Sequence, residues 1–141
     1  PIDDDICVRS ANVVAVTLMA VSVLGIPAWY LLAHYPAAAI VQLLFGLSYI
    51  LVLYLNARGA NRTGRVFLLL TYAVNYAFNF AAIGADAGGR DWIIIMLLGP
   101  LLLFTRQERA LALGGFAVTA AAVAAAEVYV ARFGTLAPMR A

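Results

Sequence analysis

The chain has 141 residues, 65% of them hydrophobic and 11% charged, and a formal net charge of +2. Soluble domains carry about a quarter of their residues as charges, so the composition points to a membrane protein: one domain over residues 1–141, with room for about five crossings of roughly 20 residues each. All nine basic residues are arginines set between apolar runs, which argues against the basic face of a nucleic-acid binder. One cysteine (Cys7) and one histidine (His34) leave no basis for an internal disulfide, a metal site or a catalytic triad.

The amino-terminal lead, PIDDD, is acidic where a cleavable signal peptide is basic. It lacks an initiator methionine and reads as part of a longer or processed protein. The first apolar run covers Ala11 to Ala33, with Gly25 and Pro27 near its far end, where proline removes a backbone donor and favours a kink. After HYP comes a second run, Ala37 to Ala57. The arginine-rich NARGANRTGR leads into a third, Val66 to Ala85, and DAGGRD into a short fourth, Trp92 to Phe104, with Gly99-Pro100 at its middle. TRQER separates this from the fifth, Ala110 to Val130. Runs of this length without strict alternation predict helices, the only open-ended structure that satisfies its backbone in lipid. The expected fold is therefore all-α, a polytopic transmembrane bundle of five spans with consecutive helices as antiparallel neighbours.

Arginine placement predicts the orientation. With a cytoplasmic amino terminus, six arginines (Arg9, Arg58, Arg62, Arg65, Arg106 and Arg109) lie inside and three (Arg90, Arg132 and Arg140) outside. Trp29, Tyr30, Tyr35 and Trp92 then form an outer aromatic belt. Five spans leave the carboxyl end outside, and RFGTLAPMRA reads as a loop leading to a sixth span beyond residue 141.

The informative residues are the polar ones inside the apolar runs. Asn75 and Asn79 stand one helical turn apart in TYAVNYAFNFAAIGAD, interleaved with Tyr72, Tyr76, Phe78 and Phe80. Glu127 falls in the outer half of the fifth run, at the depth of Asn79 and Trp92. Intramembrane carboxyls are costly and usually face a bundle interior. One reading joins Asn75, Asn79 and Glu127 into a polar ligand pocket walled by Tyr72, Tyr76, Phe80 and Trp92, suited to a small lipophilic molecule with one or two polar groups. The other makes the asparagines interhelical glue, with Glu127 snorkelling outward or paired with Arg132. Small residues at four-residue spacing (Ala73, Ala77, Ala81 and Ala85; Ala117, Ala121 and Ala125, after Gly114 and Gly115) predict close packing of the third and fifth helices, or a subunit interface. No phosphate loop, nucleophile elbow, acid–base pair or arginine ladder is present, so no catalytic, cofactor or metal site is expected.

The pattern resembles the six-helix membrane sensor modules that precede cytoplasmic output domains in bacterial signalling proteins, among them membrane-bound class III adenylate cyclases, some diguanylate cyclases and quorum-sensing histidine kinases. The resemblance rests on IDDDICVRSAN, HYP, NARGANRTGR opening the third helix, NYAFNFAAIGAD, and a short proline-bearing fourth helix, WIIIMLLGPLLLFTRQER. It implies a multi-pass protein of the bacterial inner membrane, in contact with lipid, homodimeric, with a cAMP-forming or other output domain in the same polypeptide. Two alternatives stay open: a transporter or channel subunit using Asn75, Asn79, Glu127 and Gln42 as a polar path, and a passive anchor.

Overall fold

Every regular element among the described residues of the computed structural model is a helix. The described residues are 4–32, 35–84 and 91–136, with only the backbone for Leu32 and residues 91–96. Helix α1 spans Asp4–Pro27. It starts a full turn and more before the apolar run, because Asp4 and Asp5 suit the positive end of the helix dipole. Pro27 does not end the helix, which passes into a π-helical turn over Ala28–Leu32. Helix α2 covers Pro36–Ala57, with its proline at the first position, where no N–H is needed. Helix α3 covers Asn61–Ile83 and α5 covers Arg109–Phe133. Each of these two stops at a glycine of positive φ, Gly84 at 78° and Gly134 at 77°, a backbone state that other residues rarely adopt. Between them lie α4, Asp91–Leu103, and a 3-10 turn, Arg106–Glu108.

Four helical segments are long and apolar enough to cross a membrane: Asp4–Leu31, Pro36–Ala57, Asn61–Ile83 and Arg106–Phe133. Helix α4 differs. Its 13 residues rise about 20 Å, against roughly 30 Å of hydrocarbon. His34, Ala85 and residues 86–90 lie outside the described residues.

Side-chain bonds give the relative directions of the helices. Asn56 near the end of α2 bonds Asn12 near the start of α1, and Gln42 near the start of α2 bonds Asn79 near the end of α3. Arg65, early in α3, reaches both Asp4 and Glu108, at the starts of α1 and of the α5 segment. Thus α1, α3 and α5 run parallel and α2 runs against them. The expected neighbours α1–α2, α2–α3 and α4–α5 all pack together, but α3 touches α4 only lightly and packs instead along α5. Tyr49, Val52, Leu68, Leu69, Tyr72 and Leu103 form the centre of the main core.

The α3–α5 seam is as close as the small residues predict, but a different face of α5 makes it. Gly115, Thr119 and Ala126 are buried, while Gly114, Ala117, Ala121 and Ala125 are exposed. A Cβ on Gly115 would run into Leu69 and press on Pro100, so this glycine sets how closely α3, α4 and α5 approach. Outward faces carry large apolar side chains, such as Leu24 at 72% and Leu113 at 70% exposure, the surface a lipid-facing bundle requires.

Candidate functional site

Two polar clusters interrupt the core, one at each end. The first lies at the Asp4 end and is ionic. Arg65 is 2% exposed although it carries a charge. Its Nη1 donates to Asp4 Oδ1 at 2.5 Å, and its Nη2 to Glu108 Oε1 and Oε2, each at 2.9 Å. Its guanidinium also stands 6.0 Å from the centre of the Phe104 ring. Glu108 accepts from the Thr105 N–H at 3.2 Å as well, closing a capping box that starts the last helical segment. The T-x-x-E spacing of Thr105 and Glu108 is the sequence signal for that cap. Nothing in the arginine count separated Arg65 from its neighbours in the turn, because burial is a tertiary property. Asn56 Nδ2 donates to Asn12 Oδ1 at 2.6 Å and ties α2 to α1 nearby.

The second cluster lies at the other end and is uncharged. Gln42 Nε2 donates to Asn79 Oδ1 at 2.6 Å, Asn79 Nδ2 to Asn75 Oδ1 at 2.6 Å, and Asn75 Nδ2 to the Tyr49 hydroxyl at 3.0 Å. This is a one-way chain of carboxamides running from α2 to α3 and back to α2. The asparagines therefore do act as interhelical glue, facing protein and not the outer surface: Asn75 is buried and Asn79 half-buried. Such bonds average about 0.6 kcal/mol each within membranes.

The same chain forms one wall of a cavity of about 250 Å³ between α1, α2 and α3. Asn75, Asn79, Tyr72, Tyr76 and Phe80 line it, as do Gln42 and Tyr49 from α2 and Leu18, Ser22, Gly25 and Trp29 from α1 and its π turn. The π turn widens the helix where Trp29 is placed, and the indole is buried at the cavity, in edge contact with Tyr35. This corrects the expected outer belt for Trp29, whereas Tyr30 is exposed. Ser22 and Tyr49 carried no signal by themselves; each is an ordinary residue of an apolar run until helix packing turns it inward.

One expected pocket residue stands elsewhere, and one falls on residues whose side chains are not described. Glu127 is exposed on the flank of α5, within electrostatic range of Tyr76 but not in the cavity lining. The Trp92 side chain lies outside the described residues. Tyr72 shares a hydrogen bond with Thr119 of α5 and lies so close to α4 that a Cβ on Gly99 would come within 2.6 Å of its hydroxyl. It thus links the cavity to the α4–α5 pair. No group of three or more potential metal-ligating side chains occurs among the described residues.

Comparison with known proteins gives no match: no family model, no curated protein and no solved structure aligns with the chain.

Proposed function

We propose that the chain is the membrane sensor and dimerisation module of a bacterial signal transducer, in the first instance an adenylate cyclase, with its amino terminus cytoplasmic. The cavity is then a ligand site in the outer half of the inner membrane, and the Arg65 cluster lies at the cytoplasmic face, near an output domain in the same polypeptide. In this arrangement α4 is a fifth crossing, made through bilayer thinning or burial against its neighbours. The observation that carries the reading is the cavity itself, bounded by a carboxamide chain that joins two helices. A ligand that binds differently to two arrangements of that chain shifts the balance between them, by no more than its difference in affinity. Tyr72, bonded to α5, offers a route from the cavity to the helix that starts at Glu108.

The transporter alternative has less behind it. Along α3 the two polar clusters are separated by buried Leu68 and Leu69, and Glu127 joins neither. A polar path needs continuity that this layer interrupts.

The test is Asn79→Leu in the full-length protein in membranes, with output activity and thermal stability measured together. The expected result is changed activity, or lost ligand response, beyond what the stability loss accounts for. Activity that falls only in proportion to folded protein would reduce the cluster to structural glue and leave a passive anchor.

A further inference from the structure

The lining of the cavity says more about its occupant. Ser22 is 2% exposed and is among the residues lining the cavity, and its buried hydroxyl has no hydrogen-bond partner. Helical hydroxyls can bond the carbonyl four residues back, and three among the described residues do. Thr17 donates to Val13 O, Ser48 to Leu44 O and Thr119 to Gly115 O, each at 2.9 Å. Across from Ser22 on α2 stands Gly46, which presents no side chain to it. An unpaired buried hydroxyl costs about 1–3 kcal/mol, and of the three buried side-chain atoms without a partner among the described residues (with Asn56 Oδ1 and Arg65 Nε) it alone belongs to the cavity lining.

No lining side chain is charged. A charged group brought into this cavity would lose its hydration with no counter-ion in return. Arg65 lies seven residues before Tyr72, the first lining residue of α3, about 10 Å along the helix, and is engaged by Asp4 and Glu108. Glu127 is outside the lining. The amide N–H groups of Gln42, Asn79 and Asn75 that the chain uses are already committed to one another and to Tyr49.

The geometry points to an uncharged ligand: a small, mostly apolar molecule carrying one hydroxyl or carbonyl group, with the Ser22 hydroxyl as its polar contact. The volume is below the roughly 300–1,000 Å³ of sites for drug-sized ligands, which suits a short-chain alcohol or ketone. This rests on the proposed sensor site and narrows what that site accepts. The discrimination is against charged lipophiles of the same chain length, both carboxylates and amines.

The experiment uses the protein in phosphatidylcholine nanodiscs, with Trp92→Phe so that Trp29 is the only indole. Trp29 emission is titrated with 1-octanol, 2-octanone, octanoate and octylammonium at about pH 8, where the last two are charged. Saturable binding of octanol and octanone is expected, with the charged pair weaker by at least about a hundredfold. Ser22→Ala should weaken the neutral pair by about five- to tenfold. Gly25→Leu should abolish binding of all four, since a side chain there grows past Trp29 and Gln42 into the cavity. If octanoate or octylammonium binds as tightly as the alcohol, the inference of an uncharged ligand is wrong while the cavity remains a ligand site. Equal binding by Ser22→Ala removes the assigned role of the serine. If no probe saturates, or if Gly25→Leu changes nothing, the cavity reading and this inference fall together.

Discussion

The two ends of the bundle handle buried polarity in opposite ways. At the Asp4 end, one buried guanidinium gathers two carboxylates from the starts of two other helical segments, and each carboxylate oxygen of Glu108 is bonded. At the Trp29 end, four neutral side chains form a chain beside a cavity whose lining includes the unpaired Ser22, while the unpaired atoms of the Asp4 end, Arg65 Nε and Asn56 Oδ1, lie outside that lining. An ion pair inside low dielectric is costly to break, because each partner is then a desolvated charge. A neutral amide chain has several arrangements of similar energy. The first construction holds the helix starts together; the second leaves freedom where a ligand would act.

The sharpest way to break this contrast is Arg65→Met. It leaves Glu108, which is only 17% exposed, with the Thr105 cap and Arg62 at 4.0 Å in place of its main partner, so the cost falls toward the lower end of the about 3–5 kcal/mol for breaking a buried pair. A large fall in melting temperature in detergent is expected, the largest of the series. A loss no greater than that of Asn79→Leu would mean that the two ends are held alike. Asn79→Leu removes the bond from Gln42 and the bonds to Asn75. The expected destabilisation is about 1–2 kcal/mol, read from the same melting curves.

Ser22→Ala should go the other way. Removing an unpaired buried hydroxyl leaves the empty protein as stable as before or slightly more so, and a clear loss of stability would show that Ser22 already has a partner. Smallest of all is Glu127→Gln. An exposed side chain outside both clusters should not move the melting temperature measurably, and a drop comparable to that of Asn79→Leu would bring Glu127 into the polar core after all.

Much of the architecture was legible in the residues. Long, strongly apolar runs without strict alternation read as helices fit to cross a membrane, and Asn75 and Asn79 in an otherwise apolar segment were expected to face protein. Five of the seven expected pocket residues, Asn75, Asn79, Tyr72, Tyr76 and Phe80, do line one cavity. Their common origin on α3 explains why, since residues three and four apart share a face. Glu127 escaped this logic because depth alone does not say which way a side chain points. On α5 the face toward α3 is set by Gly115, Thr119 and Ala126, and Glu127 turns to the flank.

Composition and spacing thus pointed to a membrane protein and gave the approximate positions of its helices and the place of each polar residue along them, because hydrophobicity and helical period are local properties. Only the packing of helices decided which polar groups meet. Arg65 became the buried centre of an ion cluster because α1 and the start of the α5 segment converge on it. The carboxamide chain closed because α2 runs antiparallel to α3 and brings Gln42 to Asn79. Ser22 came to lie opposite Gly46 without a partner because α1 and α2 pack along this face. Each of these is a meeting of residues distant in sequence, and neither composition nor periodicity encodes such a meeting.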